Sequence, residues 1–287
     1  MTMIIECENL IKIHKQGTLE VVALQGLDFT MEVGEFISVV GSSGAGKSTL
    51  LRILAGLERP SAGKVRVAGT NLAEITPRHL TKHYRRNVGF LWQDFNRNLL
   101  PYLNAKRNVE LPLLLAGVGG RQRKQRTMDL LESVGLRSRA FADVHTMSGG
   151  EQQRLALCVA LAGEPELLLA DEPTGELDTE TGLEIYELLR SLTTERGLSI
   201  LVVTHDVALA QRTDRVVRLA DGRIAMQGRL GAAEVLAVDA RGMVQVPRGM
   251  LLEAGIEERV EAEVVDDGVL LRPHRDTGIG GGHDHGA

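Results

Sequence analysis

The chain has 287 residues, 43% hydrophobic and 25% charged, with a net charge of −5. That is an ordinary globular composition, long enough for one large α/β domain and a small second one, and its acidic balance offers no basic surface for nucleic acid. The two cysteines, Cys7 and Cys158, are far apart and match no metal-ligand spacing, which fits a reduced setting. The first residues carry no basic n-region followed by an apolar h-region, so no signal peptide is expected, and each apolar run is broken by charge or proline well short of a membrane span.

Short β-like runs open the chain at 3–7 and 21–31, the second alternating apolar and polar as a half-buried antiparallel strand does. The apolar stretch 36–40 then enters Gly41-Ser42-Ser43-Gly44-Ala45-Gly46-Lys47-Ser48-Thr49, and the amphipathic run Leu50-Leu51-Arg52-Ile53-Leu54 follows. This spacing between a buried strand and a helix is a phosphate-binding P-loop. Its glycines let successive N–H groups point inward, and the following helix presents its positive end to the same anion. Lys47 adds a point charge for the β- and γ-phosphates, and the Ser48 hydroxyl a ligand for Mg²⁺.

Residues 64–67 read as an edge strand, and 87–93 as a buried strand ending in a polar loop. From about 104 to 162 helical patterns replace strand patterns, notably at 121–134 and 150–161. Strand signals return at 166–171, 199–204, 215–219 and 223–226, with a helix at 179–196 between the first two. Strands alternating with helices of this length imply a doubly wound parallel sheet, whose ligands sit at the carboxyl ends of the strands. At one such end the run Leu167-Leu168-Leu169-Ala170 drives Asp171 and Glu172 toward the phosphates, as a Walker B segment does. Asp171 is placed to hold Mg²⁺, directly or through water, and Glu172 to polarise the attacking water.

Met147-Ser148-Gly149-Gly150-Glu151-Gln152-Gln153-Arg154 is similar to the LSGGQ signature of ATP-binding-cassette (ABC) ATPases, with Met147 in place of the usual Leu. It is a second anion site, made of a hydroxyl, two glycines and a helix start. The resemblance implies a P-loop NTPase of ABC type: an α/β fold with a mostly parallel core sheet, an antiparallel β subdomain and a helical insert at about 94–162. It implies ATP and Mg²⁺ as cofactors, and a homodimer in which Ser148, Gly149, Gly150 and Glu151 meet the γ-phosphate bound by the opposite copy. Gln93 resembles the Q-loop glutamine that touches Mg²⁺ and the attacking water, His205 the switch histidine that contacts the γ-phosphate, and Asp178 part of the D-loop that crosses the dimer interface. His14 stands where the family usually has an aromatic residue stacked on adenine.

The resemblance covers residues 1–228, and Leu168-Leu169-Ala170-Asp171-Glu172-Pro173-Thr174-Gly175 with Leu177-Asp178 narrows it to the MacB, LolD and FtsE group. It implies a separate membrane permease, docked near the Q-loop and helical insert where Tyr84, Phe90, Trp92, Phe95 and Tyr102 gather. The chain itself is then peripheral on the cytoplasmic membrane face, its membrane contact indirect.

After a linker at 229–238, residues 239–273 read as strand, short helix, strand, Asp-Gly turn, strand, and resemble the AbrB/MazE swapped-hairpin domain. Its acids Asp239, Glu253, Glu257, Glu258, Glu261, Glu263, Asp266 and Asp267 outnumber Arg241, Arg248, Arg259 and Arg272, which favours a dimerisation clasp over nucleic-acid binding. The Gly-rich tail at 274–287 has little to bury and is expected to be disordered. The alternative is a soluble ABC ATPase with a DNA-binding AbrB-like regulatory domain.

Overall fold

The computed structural model describes residues 2–17, 19–175, 177–229, 235–236, 244, 246, 248–256, 260–265 and 268–273. Two compact units divide the chain, Met1–Val244 and Gln245–Ala287. The expected tail at 274–287 and most of the expected linker at 229–238 lie outside the described residues, as do most of residues 239–247, where the first strand of the small domain is expected.

The first unit opens with a long antiparallel hairpin, β1 (Met3–Gln16) and β2 (Leu19–Glu32). Both strands outrun the apolar segments that announced them, because the polar end of β1 also finds ladder partners in β2 (His14↔Val21, Lys15↔Glu20). A wholly buried strand, β3 (Phe36–Val40), leads into α1 (Lys47–Leu54). Then come β4 (Ala62–Val67), β5 (Thr70–Asn71), α2 (Pro77–Arg86) and β6 (Val88–Leu91). The helical stretch contains α3 (Ala105–Leu115), α4 (Gly120–Ser133) and α5 (Gly149–Leu161). After it follow β7 (Leu167–Asp171), α6 (Thr179–Arg196), β8 (Ser199–Thr204), α7 (Val207–Ala210), β9 (Arg215–Ala220), β10 (Arg223–Arg229) and β11 (Val235–Leu236).

One four-stranded antiparallel sheet has the order β2-β1-β4-β5, and a seven-stranded sheet the order β11-β10-β9-β3-β8-β7-β6. The strand at Ala62–Val67 is therefore not an edge: β5 covers its outer side. In the larger sheet β6, β7, β8, β3 and β9 run parallel, and β10 and β11 add antiparallel partners at one end. The parallel strands β3, β7 and β8 are buried along their whole length, as strands covered on both faces must be.

One apolar core, with Leu131, Leu155, Leu189 and Ile200, joins the insert to one face of this sheet. The other, with Ile5, Leu24, Leu51 and Leu201, joins the opposite face to α1 and the antiparallel sheet. Cys158 lies in the first and Cys7 in the second, and burial pushes the Cys7 thiol up to about 12 and Cys158 higher still. Both are packing groups, not nucleophiles.

In the second unit, α8 (Arg248–Glu253) precedes an antiparallel hairpin of β12 (Val260–Val265) and β13 (Gly268–Pro273), in the register Val265↔Gly268. Every residue of β12 is exposed, Val264 to 85%. No helix among the described residues is long and apolar enough to cross a membrane.

A nucleotide cavity at the carboxyl ends of the parallel strands

The P-loop follows from sterics. Gly46 caps α1 in the left-handed region (φ 101°) with no side-chain cap, so the first N–H groups of the helix keep no internal acceptor. A Cβ on Gly46 would stand 2.4 Å from the Ala23 carbonyl oxygen, and one on Gly41 2.2 Å from that of Leu219. Ala45 sits between them with its methyl buried. The Lys47 ammonium donates to the carbonyls of Gly41 (2.8 Å) and Ser42 (3.0 Å), which leaves its third proton for a phosphate oxygen.

At the end of β7, Asp171 is 5% exposed and accepts from Ser48 Oγ at 3.2 Å. Burial raises its carboxyl above the usual range, while the Ser48 bond and the charges of Arg52 and Lys47 pull the other way. Two cis ligands of an octahedral Mg²⁺ at its usual bond lengths stand about 3 Å apart. This hydroxyl–carboxylate pair therefore has the chemistry and spacing the ion requires. Among the described residues no group of three or more His, Cys, Asp or Glu is placed to hold a metal.

Glu172 occupies the left-handed region (φ 48°), held by its N–H donating to the Val203 carbonyl at 2.8 Å. Its Oε2 lies 2.6 Å from His205 Nδ1. The carboxylate side chain is 13% exposed and the imidazole 71%, so an almost covered acid is tied to a ring that faces outward. Gln93 follows β6 on a loop pinned by Asn98, which accepts from Trp92 N–H at 3.0 Å and donates to the Phe90 carbonyl at 2.8 Å.

These groups converge on one cavity of about 450 Å³, lined by Ser43, Gly44, Gly46, Lys47, Ser48 and Thr49 together with Gln93, Glu172 and His205. Val21, Val22 and Ala23 complete the wall. Nothing in their sequence marks them, because tertiary packing brings β2 there: the Ala23 carbonyl oxygen lies against both Gly46 and Gly222. A larger cavity, about 570 Å³, lies at the amino ends of the same strands beside Glu166 and Leu198, away from this chemistry.

Gly41, Ser42 and Ala45 form the base of the loop behind the lining, and Asp171 stands behind Ser48. His14 is across the ladder from Val21 and turns its Nε2 to within 4.0 Å of Glu58, so it reaches only the rim. Ser148, Gly149, Gly150, Glu151 and Asp178 are not among the lining residues. Ser148 and Glu151 form a reciprocal capping box at the start of α5, and Asp178 caps α6 by accepting from Thr181 N–H at 3.0 Å. The two helix starts adjoin: a Cβ on Gly150 would lie 3.0 Å from Thr181 Cγ2. The buried Gln153 donates to the Pro173 carbonyl at 2.7 Å, tying α5 to the residue after Glu172.

The aromatic cluster near Gln93 is largely not a surface. Phe95 is 9% exposed inside the core, Phe90 and Tyr84 pack against the other core, and Trp92 lies under the Arg97 guanidinium, 3.5 Å from the ring centroid. Tyr102, at 78%, is the ring of the five that stands open.

A P-loop, a buried carboxylate beside its serine and a carboxylate–imidazole pair on one parallel sheet define a P-loop nucleoside triphosphatase. A sequence profile of the ABC transporter family matches residues 24–175, and the chain belongs to that family, as an ATP-binding, ATP-hydrolysing subunit. It is 45% identical over 224 residues to an uncharacterized ABC transporter ATP-binding protein of Thermotoga maritima, covering 78% of this chain and 94% of that one. It is 46% identical over 219 residues to the lipoprotein-releasing system ATP-binding protein LolD of Ruegeria sp., covering 76% and 96%. Among solved structures, an ATP-binding cassette captured as a dimer in a post-hydrolysis state with ADP and Pi matches with a TM-score of 0.74 and 37% identity, over 80% of this chain and all of that one.

Proposed function

We propose that this chain is the motor of a mechanically acting transporter of the MacB and LolD kind, working as a head-to-tail homodimer whose two ATP sites are each shared between copies. The observation that carries the reading is the division of the site. One copy's cavity gathers the P-loop, Gln93, Glu172 and His205, while the second anion-binding element, Ser148 to Glu151, is built complete at another helix start outside that cavity.

In this reading residues 41–49 hold the phosphates through backbone N–H groups and Lys47. Ser48, Asp171 and Gln93 would hold Mg²⁺, which would supply neutralisation of the phosphate charge. Glu172 takes the proton of the attacking water, and His205 keeps its Oε2 oriented while offering Nε2 to the γ-phosphate. Asp178 reaches the partner across the interface. His14 and the Val21–Val22 wall flank the base, a platform with less aromatic area than the family's usual ring.

The permease docks beside the Q-loop and the helical insert, with Tyr102 as its open aromatic anchor, and the chain sits peripherally on the cytoplasmic membrane face. The second unit is an AbrB-like clasp. Val260, Val264, Val269 and Leu252 stand exposed in a single copy, more apolar surface than so small a unit leaves uncovered, and pairing with a second copy would bury it.

Light-scattering chromatography tests the reading. Truncation after Val244 should leave the ADP-bound chain monomeric where the full chain is dimeric, and Glu172→Gln should restore the truncated dimer with Mg-ATP. A truncated chain that is dimeric in ADP overturns the clasp, and one that stays monomeric with Mg-ATP as Glu172→Gln overturns the ATP-driven closure.

A further inference from the structure

Arg139 belongs to none of the motifs above, yet its guanidinium spans both sides of Ser148. Its Nε donates to Glu151 Oε1 at 3.2 Å and its Nη2 to the Thr146 carbonyl at 2.9 Å. The other Glu151 oxygen accepts from Ser148 N–H at 2.9 Å, and Ser148 Oγ in turn accepts from Glu151 N–H at 3.2 Å. Ser148 Oγ thus spends a lone pair on its own helix and keeps its O–H free to donate to an anion.

The same arrangement creates an electrostatic problem. A helix start attracts anions through its unpaired N–H groups and dipole, but Glu151 already places a full negative charge there, and a phosphate arriving beside it is repelled. A neutral side chain at 151 would raise no such conflict. Arg139 is the cation in contact with Glu151; the next cation along α5, Arg154, is turned to Glu184 at 3.5 Å. The Arg139 and Glu151 side chains are 39% and 23% exposed, covered enough for the pairing to matter and open enough for the element to meet a partner.

We infer that Arg139 is a positioning residue for ATP hydrolysis: it cancels the charge of Glu151 and holds the Ser148 hydroxyl for the γ-phosphate carried by the second copy. The inference rests on the proposal that residues 148–151 act across the dimer.

Steady-state Mg-ATPase kinetics of the full chain test it. Arg139→Gln should raise KM for ATP about tenfold, equivalent to ~1.4 kcal/mol, with kcat within about twofold of the parent. The defect should shrink at high salt, where charge repulsion is screened. Arg139→Gln combined with Glu151→Gln should return KM to within about threefold of the parent, because the uncompensated charge is gone. Arg139→Lys, which keeps the charge but not the fork, should fall between parent and Arg139→Gln.

A double variant no better than Arg139→Gln, or an unchanged KM in Arg139→Gln, overturns the inference. Should Arg139→Gln fail to fold by circular dichroism, the Lys variant decides: a loss of tenfold or more that Glu151→Gln does not relieve overturns it equally. Ser148→Arg separates this from the underlying reading. If Ser148→Arg leaves ATP-driven dimerisation intact, the signature does not act across the dimer. If it blocks dimerisation while the Arg139 variants behave as the parent, only the role of Arg139 fails.

Discussion

Replacing Glu172 by Gln separates chemistry from structure more cleanly than any other single change at this site. Gln has the same shape, meets the left-handed backbone at φ 48° on the same terms as Glu, and keeps the N–H bond to the Val203 carbonyl at 2.8 Å. Its amide oxygen can still accept from His205 Nδ1, now 2.6 Å from the carboxylate. The fold therefore loses almost nothing, and the melting temperature should stay within about 2 °C of the parent, as a change of ~0.5 kcal/mol or less implies. What disappears is the proton acceptor. A positioned general base contributes about 10²–10⁴-fold, so phosphate release at saturating Mg-ATP should fall by that factor, about 2.7–5.5 kcal/mol of barrier. ATP binding should persist, and the ATP-bound dimer should accumulate because it no longer turns over. A variant that keeps more than about a third of the parent rate would refute the assignment of the base, since that is far less than any positioned base supplies. A variant that has melted would instead contradict the claim that the fold loses almost nothing.

Gly89 tests the packing of β6 on α5. A Cβ there would stand 2.5 Å from the Ala160 carbonyl oxygen and 3.1 Å from Pro165 Cγ. Gly89→Ala should therefore cost about 1–3 kcal/mol by overpacking, read as a lowered denaturation midpoint with an unchanged m-value. His83 tests buried charge: it is 3% exposed, neither ring nitrogen has a partner, and burial holds its pKa below 6.5. The folded state prefers the neutral ring, so this contribution is fully present above the unfolded pKa and is lost as pH falls below about 6.5 toward the folded value. His83→Leu should flatten the drop in stability between pH 7 and 5, followed by urea melts at each pH; a parallel drop in both proteins counts against a neutral buried ring.

The site was legible wherever its chemistry is local in sequence. The P-loop carries its glycines, lysine and serine within nine positions, and Asp171, Glu172 and His205 end strands whose unbroken apolar runs announce burial. The helix Thr179–Arg196 was bounded correctly because Asp178 caps its start and Gly197, at φ 65°, ends it. Val21, Val22 and Ala23 left no such mark, since their place in the cavity depends on tertiary packing. Asn98, Arg139 and the packing role of Gln153 were missed for a related reason. Each of the three is a polar residue in a helix or loop whose partner is an unremarkable backbone or side-chain group, such as the Pro173 carbonyl 20 positions from Gln153. The aromatic residues around Gln93 divide: their clustering in sequence suggested a partner surface, but Phe95 lies in one core and Phe90 packs against the other, while Tyr102 stands exposed.

The central claim, that each ATP site is assembled from two copies, is tested most directly by mixing two inactive variants. Lys47→Ala destroys the P-loop half of a site and Ser148→Arg the signature half. In a head-to-tail dimer of one copy of each, both lesions fall in the same site and the other site is intact. Each variant alone should show no single-turnover phosphate release, and an equal mixture should recover roughly a quarter of the wild-type amplitude, because half the dimers are mixed and each keeps one whole site. A mixture as inactive as its components would mean that the P-loop and the signature serve the same site within one chain, and would contradict the account.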